Sequence, residues 1–244
     1  MLGMPSLAES SLAPMRSDTH PFLAALSVPG RSVIAEIKLG SPRLGDLRTS
    51  VDVEALLGAY TRAGAAALSV VVEEEHFFGS YELLRRCVQS TRLPVLAKDF
   101  VVDPVQLEWA AEAGAAAVLL IAALHGAADL AALSGRAREL GLVPLVETHD
   151  AEDLDSLASG AWEAIGVNNR DLRTFDVDLN HSVAMAARLP ADSLKIAESG
   201  LSEPEHLRKL ATAGFDAFVI GESLLLAESP EDELRRLIGA SDVG

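Results

Sequence analysis

Val143-Pro144-Leu145-Val146-Glu147, then Ser159-Gly160-Ala161, then Ala164-Ile165-Gly166-Val167-Asn168: the stretch from 143 to 168 decides how the whole chain is read. Two continuous apolar runs, one ending in a carboxylate and one in an amide, flank a helical pattern closed by a glycine. Continuous Val, Ile, Leu and Ala, without alternation, suit parallel strands covered by helices. The same unit recurs in both directions. Strands are predicted at 33–37, 67–72, 94–97, 117–121, 143–147, 164–167, 194–197 and 217–220. Ala63-Gly64-Ala65, Ala113-Gly114-Ala115 and Ala213-Gly214-Phe215 repeat the Ser159-Gly160-Ala161 string at intervals of roughly 50 residues. A glycine just past a helix takes the left-handed conformation that turns the chain towards a strand. A βα unit needs about 30 residues, so each interval holds two units. Helices are expected over 54–62 and, after Pro104, over 106–112. A doubly wound open sheet is the rival, but no glycine-rich dinucleotide fingerprint follows the first strand. The expectation is an α/β chain with a single (β/α)8 TIM barrel over 33–244, its site at the C-terminal ends of the strands, preceded by a short leader and N-terminal extension over 1–32.

The chain has 244 residues, 20 Lys plus Arg against 36 Asp plus Glu, and a formal net charge of -16. That charge repels nucleic acid and anionic membrane, so neither is expected as a partner. An anionic ligand needs a local positive pocket, which gives the few basic residues at strand ends their weight. Cys87 is the one cysteine and reads as a packed thiol beside Leu83, Leu84 and Val88, with no disulfide framework or thiolate metal cluster. The longest apolar run, 113–124, is too short to span a membrane and contains Gly114. Residues 1–19 lack the basic start and apolar block of an export signal, so a cytoplasmic location is expected.

Lys98 ends an apolar strand and has no evident reason to lie inside a core, which points to catalysis. Lys38 lies two residues beyond Glu36, so both side chains share one side of a strand. The plain reading is an ion pair on the rim, and the functional one gains from Ser41-Pro42-Arg43, which brings a hydroxyl and a guanidinium on a mobile connection. Glu147 is placed as a general base, especially if apolar surroundings or another carboxylate raise its pKa. Glu198 is expected to be held charged by a neighbouring cation. His149 is read as a rim residue. Ser199-Gly200 and Gly221-Glu222-Ser223 follow the last two strands, where barrels commonly hold phosphate; Glu222 is expected to contribute backbone with its side chain turned out. No His-Asp-Glu spacing calls for a metal.

Ile34-Ala35-Glu36-Ile37-Lys38, Phe77-Phe78-Gly79-Ser80, Leu96-Ala97-Lys98-Asp99-Phe100, Leu145-Val146-Glu147-Thr148-His149, Ile165 through Leu172, Ala197-Glu198-Ser199-Gly200 and Ile220-Gly221-Glu222-Ser223-Leu224 follow one another in order. In this series the chain resembles the indole-3-glycerol phosphate synthase family. The resemblance implies conversion of 1-(2-carboxyphenylamino)-1-deoxyribulose 5-phosphate to indole-3-glycerol phosphate, carbon dioxide and water in tryptophan biosynthesis. It implies Lys98 as general acid on the sugar oxygen and Glu147 as the group assisting proton removal. Glu36 would orient or exchange protons with the reacting hydroxyl, and Asn168 would hold polar substrate atoms. Lys38 would offset carboxylate and phosphate charge, and Arg170 and Glu198 would form a supporting network. Ser41 and Arg43 would also meet the substrate, and Phe77, Phe100, Leu119 and Leu172 would pack on its aromatic ring. The phosphate would lie on Lys38, Ser199, Gly200, Gly221 and Glu222. No cofactor is implied. The one partner implied is a small anionic phosphorylated substrate, with a monomer expected and other tryptophan-pathway proteins as candidate partners. The alternatives are a related phosphate-binding sugar isomerase, of the phosphoribosylanthranilate isomerase type, and a non-catalytic metabolite-binding or pathway-complex subunit.

Where the family usually has Arg-Ser-Ser-Pro-Ser after Lys38, this chain has Leu39-Gly40-Ser41-Pro42-Arg43. Ala97 stands where an arginine usually precedes the lysine matching Lys98. The family's N-terminal region generally packs across the catalytic rim, and the leader here is shorter. Residues 39–47 are therefore expected to act as the closing segment, with Arg43 meeting the substrate's charge.

Overall fold

Backbone hydrogen bonds join eight parallel strands into a closed ring in a computed structural model that describes residues 20–28, 32–157, 160–171, 174 and 176–239. The barrel strands are β1 (Ser32–Ile37), β2 (Ala67–Val71), β3 (Val95–Lys98), β4 (Ala117–Ile121), β5 (Val143–Thr148), β6 (Ala164–Asn168), β7 (Leu194–Glu198) and β8 (Ala217–Ile220). Each strand pairs with the next in the chain, and β8 closes on β1 with Ser32 opposite Ala217. The predicted strands are all present. Four of them extend one residue beyond the predicted end, to Lys98, Thr148, Asn168 and Glu198, all of which still lie in the ladder, with Lys98 opposite Val71 and Asn168 opposite Glu198.

The helices are α1 (Pro21–Leu26), α2 (Val53–Ala63), α3 (Tyr81–Ser90), α4 (Pro104–Glu112), α5 (Ala127–Glu139), α6 (Ala151–Ser156), α7 (Leu179–Ala186), α8 (Pro204–Thr212), α9 (Glu222–Leu225) and α10 (Pro230–Gly239). Side chains cap the starts of several of them. Asp52, Ser80, Asp103, Asp150 and Asp178 each accept a backbone N–H that the first turn leaves unpaired. Gly64, Gly114 and Gly214 take the expected left-handed conformation after their helices, with φ of 90°, 86° and 100°. Gly160 does not. Its α-hydrogen faces the Trp162 indole, where a Cβ would lie within 2.7 Å of Nε1, so close packing explains this glycine. Ser159 lies outside the described residues.

Side chains alternate along every strand. Val33, Ala35 and Ile37 point outwards to the helices, while Ile34 belongs to the barrel interior with Ala67, Leu96, Leu119, Leu145, Ala164, Ile196 and Val219. Counting on in twos from those interior residues leads to Glu36 and then Lys38, to Lys98, Glu147 and Glu198, and to Asn168 by way of Gly166. The apolar interior thus gives way to charge in its last layer. At the other end, Phe22, Leu23 and Leu26 of α1 are buried in the interior cluster with Ala67, Ala117, Val143, Ala164 and Ala217, residues at or near the starts of their strands. His20 caps α1 and reaches the Gly141 carbonyl at 3.1 Å, just before β5. The described part of the N-terminal extension therefore plugs the floor of the barrel, opposite the charged rim. Residues 1–19 lie outside the described residues.

The segment expected as a mobile connection is built. Gly40–Ser41 pairs antiparallel with Gly45–Asp46, and the Leu47 N–H donates to the Leu39 carbonyl at 2.8 Å. Arg48 bridges to Asp46 and lies 4.9 Å over the Phe78 ring. Cys87 is buried in α3 as expected, and burial pushes its thiol up to about 12.

Phe22 is fully buried in the floor, so Phe22→Ala should cost about 3–5 kcal/mol. Urea denaturation measures this, and a loss below about 1 kcal/mol would mean that α1 is not part of the cooperative core.

Candidate active site

A cavity of about 980 Å³ opens at the C-terminal ends of the strands, and Glu36, Lys38, Lys98, Glu147, Asn168 and Glu198 all line it. At its base the Lys98 ammonium lies between two carboxylates, 2.9 Å from Glu198 Oε2 and 3.3 Å from Glu147 Oε2. Asn168 Nδ2 donates to the other oxygen of Glu147 at 3.1 Å. Asn168 is held in turn by the Arg170 backbone N–H, which donates to its Oδ1 at 3.0 Å. Lys38 donates to Glu36 Oε1 at 2.8 Å, the rim ion pair anticipated from their spacing.

Two glycines make room for these carboxylates. A Cβ on Gly166 would collide with Glu198 Oε1, and one on Gly221 would collide with Glu36 Oε1. Glu198 Oε1 is buried and has no hydrogen-bond partner among the described residues.

The charges are strongly coupled. Burial alone would strip Lys98 of its proton, but Glu198, Glu147 and Glu36 hold it charged, well above the ordinary lysine range. Burial alone would likewise neutralise Glu36, yet Lys38 and Lys98 keep it below the usual carboxylate range. The remaining two carboxylates separate. Burial pushes up Glu147, but Lys98, His149 and Asn168 more than offset it, so this group is held ionised and weakly basic. Burial raises Glu198 to about 7, with Lys98 opposing and the Glu147 charge assisting. A neighbouring cation does reach Glu198, as anticipated, and another carboxylate lies beside Glu147; because Glu147 holds more of the available donors, Glu198 is the more readily protonated of the two.

Arg43, Phe77, Phe100, Leu119 and Arg170 also line the cavity, as do Ser199, Gly200, Gly221 and Glu222. Phe77 and Phe100 lie 6.4 Å apart at 55° on the apolar side. Ser41 is not in the wall. Its hydroxyl accepts the Leu44 N–H at 3.1 Å and holds the turn of the hairpin after β1. Leu172 lies outside the described residues. Arg43 pairs with Glu222 across the mouth, joining the loops after β1 and β8. Its guanidinium is thus already engaged, and the Glu222 side chain turns to it. Ser199 and Gly200 are both left-handed, at φ 68° and 76°, and a Cβ on Gly200 would collide with Val177. The Ser223 hydroxyl donates to the Leu201 carbonyl at 3.0 Å and ties the two loops together.

Two residues matter more than the sequence suggested. Asn169 is buried; its amide donates to the Glu198 carbonyl at 2.9 Å and accepts from Ser182 Oγ at 2.6 Å, fixing the end of β7 against α7. Its place next to the inward Asn168 was the available signal, since it must then face the helices. His149 lies 3.2 Å from Glu147 Oε1 and not out on the rim.

These features define a (β/α)8 barrel with a charged acid–base site beside an apolar wall. Among solved structures, the fold is similar to tryptophan synthase subunit alpha from Legionella pneumophila, with a TM-score of 0.67 at 15% identity over 92% of this chain and 99% of that one. Thiamine phosphate pyrophosphorylase from Pyrococcus furiosus matches with a TM-score of 0.64 at 15% identity over 88% and 97%. Such low identities speak for the fold alone. The family is given by sequence: the indole-3-glycerol phosphate synthase family profile matches residues 5–237. Proteins named indole-3-glycerol phosphate synthase match from Koribacter versatilis, at 46% identity over 86% of this chain and 81% of that protein, and from Salinibacter ruber, at 45% over 87% and 79%. The chain belongs to the indole-3-glycerol phosphate synthase family.

The carboxyl of Glu198 is raised relative to an unfolded glutamate, so folding favours its protonated form. That contribution to stability is full below pH about 4.5 and is lost as pH rises through about 7. Glu198→Gln, which stays neutral, should therefore gain stability relative to wild type between these values, by at most about 1.4 kcal/mol per pH unit. Urea denaturation at pH 5 and pH 8 tests this, and an equal difference at both values would place the proton elsewhere.

Proposed function

We propose that the chain catalyses ring closure, decarboxylation and dehydration of 1-(2-carboxyphenylamino)-1-deoxyribulose 5-phosphate to indole-3-glycerol phosphate, as a carboxy-lyase of tryptophan biosynthesis. The observation that carries this reading is the Lys98 ammonium set between Glu147 and Glu198 at the base of the cavity. The family membership supports the substrate, which has an aromatic ring, a carboxylate and a phosphate to be accommodated together.

Lys98 is the proposed general acid. As the ring carbon bearing the carboxylate attacks the sugar carbonyl carbon, the carbonyl oxygen gains negative charge and takes a proton from the ammonium. The carboxylate then leaves as carbon dioxide, and its bonding electrons restore the aromatic ring. Loss of the new hydroxyl as water needs a proton donor at that oxygen and a base for the proton on the neighbouring carbon. Glu147 is the proposed base. It becomes more basic once Lys98 turns to the substrate, because its largest opposing charge then moves away. Glu198, with the raised carboxyl, is suited to return a proton to Lys98 at 2.9 Å.

Phe77, Phe100 and Leu119 are the proposed ring platform. The proposed phosphate position is at the loops of Ser199-Gly200 and Gly221-Glu222, where backbone N–H groups approach without a side chain in the way. Lys38 balances Glu36, whose carboxylate lies against Gly221 and would otherwise repel the phosphate. The proposed catalytic domain is the barrel over 33–244.

Lys98→Ala should lower turnover by about 10²–10⁴-fold, because a positioned proton donor is lost, with a much smaller effect on binding of a phosphorylated substrate analogue. Indole fluorescence with carbon dioxide release reads the first, and titration of the analogue the second. Near-wild-type turnover in this variant would remove Lys98 from the chemistry.

A further inference from the structure

His149 touches Glu147, the proposed base, yet the reaction so far has no use for it. It follows β5 and lies inside the wall, its side chain only 12% exposed. Nε2 is 3.2 Å from Glu147 Oε1, and Nδ1 is 3.7 Å from Asp153 Oδ2 on α6. Both ring nitrogens thus face carboxylate oxygens at ion-pair distance, although neither contact has hydrogen-bond geometry among the described residues. A neutral imidazole offers one N–H and one lone pair, so the two carboxylates together favour the doubly protonated, positively charged ring between them. The backbone holds the ring in place, since the His149 N–H donates to Asp153 Oδ2 at 2.6 Å.

The surroundings leave those two carboxylates in control. Asp150 uses its carboxylate to cap α6, and Asp155 pairs with Arg188 at 2.8 Å. From β6 comes the neutral amide of Asn168, on the same oxygen of Glu147, and from β3 the Lys98 ammonium, on the other oxygen. The turn Ala122–Leu124, which packs on β5 and α6, brings apolar side chains, and His125 is the next titratable residue after it. Burial favours the neutral ring, but Asp153 and Glu147 together raise His149 to about 9.

We propose that His149 is a positioning residue for the reaction: as an imidazolium between Glu147 and Asp153 it fixes Glu147 Oε1, so that Oε2 faces Lys98 and the cavity. Asp153 anchors the imidazolium to the outer helix layer. The proposal rests on the synthase reading and on Glu147 as its base. The imidazolium is present below pH about 9 and is lost above it. Once it is lost, Glu147 keeps Asn168 on Oε1 and Lys98 on Oε2 but loses the charge that opposes Lys98 across the carboxylate, so its productive geometry is held less firmly.

The test is the pH profile of kcat/KM for wild type, His149→Gln and Asp153→Asn, with kcat and KM resolved at each pH. Wild type should lose activity through pH about 9. His149→Gln keeps a donor near Glu147 without a titrating charge, so kcat should fall about tenfold at neutral pH with little change in KM, and the alkaline limb near 9 should vanish. Asp153→Asn preserves the backbone hydrogen bond but removes one stabilising charge, so its limb should move to lower pH. A wild-type profile without that limb, or a limb unmoved in the folded variants, overturns the proposal. Should one variant fail to fold, the other decides. A wild type that does not turn over the carboxyphenylamino substrate at all would instead refute the synthase reading.

Discussion

An ammonium taken out of water costs several kcal/mol unless fixed negative charge replaces its hydration. At Lys98 that replacement comes from β5 and β7 directly, with Glu36 on β1 adding to it. Three strands must therefore stay in register for one side chain to remain charged. A slip of a single residue would turn Glu147 or Glu198 outwards into the helix layer and leave the lysine unpaired. The same constraint explains the absent side chain at Gly166, which lies in the ladder opposite Glu147 and leaves the space that the Glu198 carboxyl occupies. Barrel closure and acid–base chemistry thus depend on one another, because the layer that completes the interior packing is also the layer that holds the charge.

Much of this was legible in the chain itself. The strand runs, their number and the polar residues at their ends all follow from apolar continuity, and the interior set follows from counting in twos along each strand. What stayed hidden depends on distances between strands. Nothing in the spacing of Glu147 and Glu198 tells which one receives more hydrogen bonds, and hence which keeps the proton. Nor does the sequence show that the Ser41 hydroxyl accepts the Leu44 N–H, because that contact depends on the turn of a short hairpin. Gly160 matched its sister strings in sequence but answers to the Trp162 ring, two residues on in the chain. The hairpin over residues 40–46 was missed because its strands are two residues each, too short to leave a periodic signal.

The net charge of -16 takes on meaning at the mouth. Lys38 and Arg43 there are engaged by Glu36 and Glu222, so the rim presents ion pairs and not bare cations. An arriving anion must compete with a carboxylate for each of them. Such a rim favours ligands with several negative groups at the right separation, since a single charge gains little by displacing a partner already in place. The Arg43 pair also links two loops that are far apart in sequence, so exchange at that point would be felt by both β1 and β8.

The helix at the floor has a further consequence. With Phe22, Leu23 and Leu26 filling the base of the ring, the barrel formed by the described residues is a well that opens at the charged rim, and a ligand in it would enter and leave by that mouth. In the proposed reaction three molecules leave where one entered. Traffic through that mouth would then be sequential, with the small, uncharged gas leaving past the bulkier phosphorylated product. A one-ended vessel of this kind makes departure, as much as bond making, a candidate for the step that sets the pace.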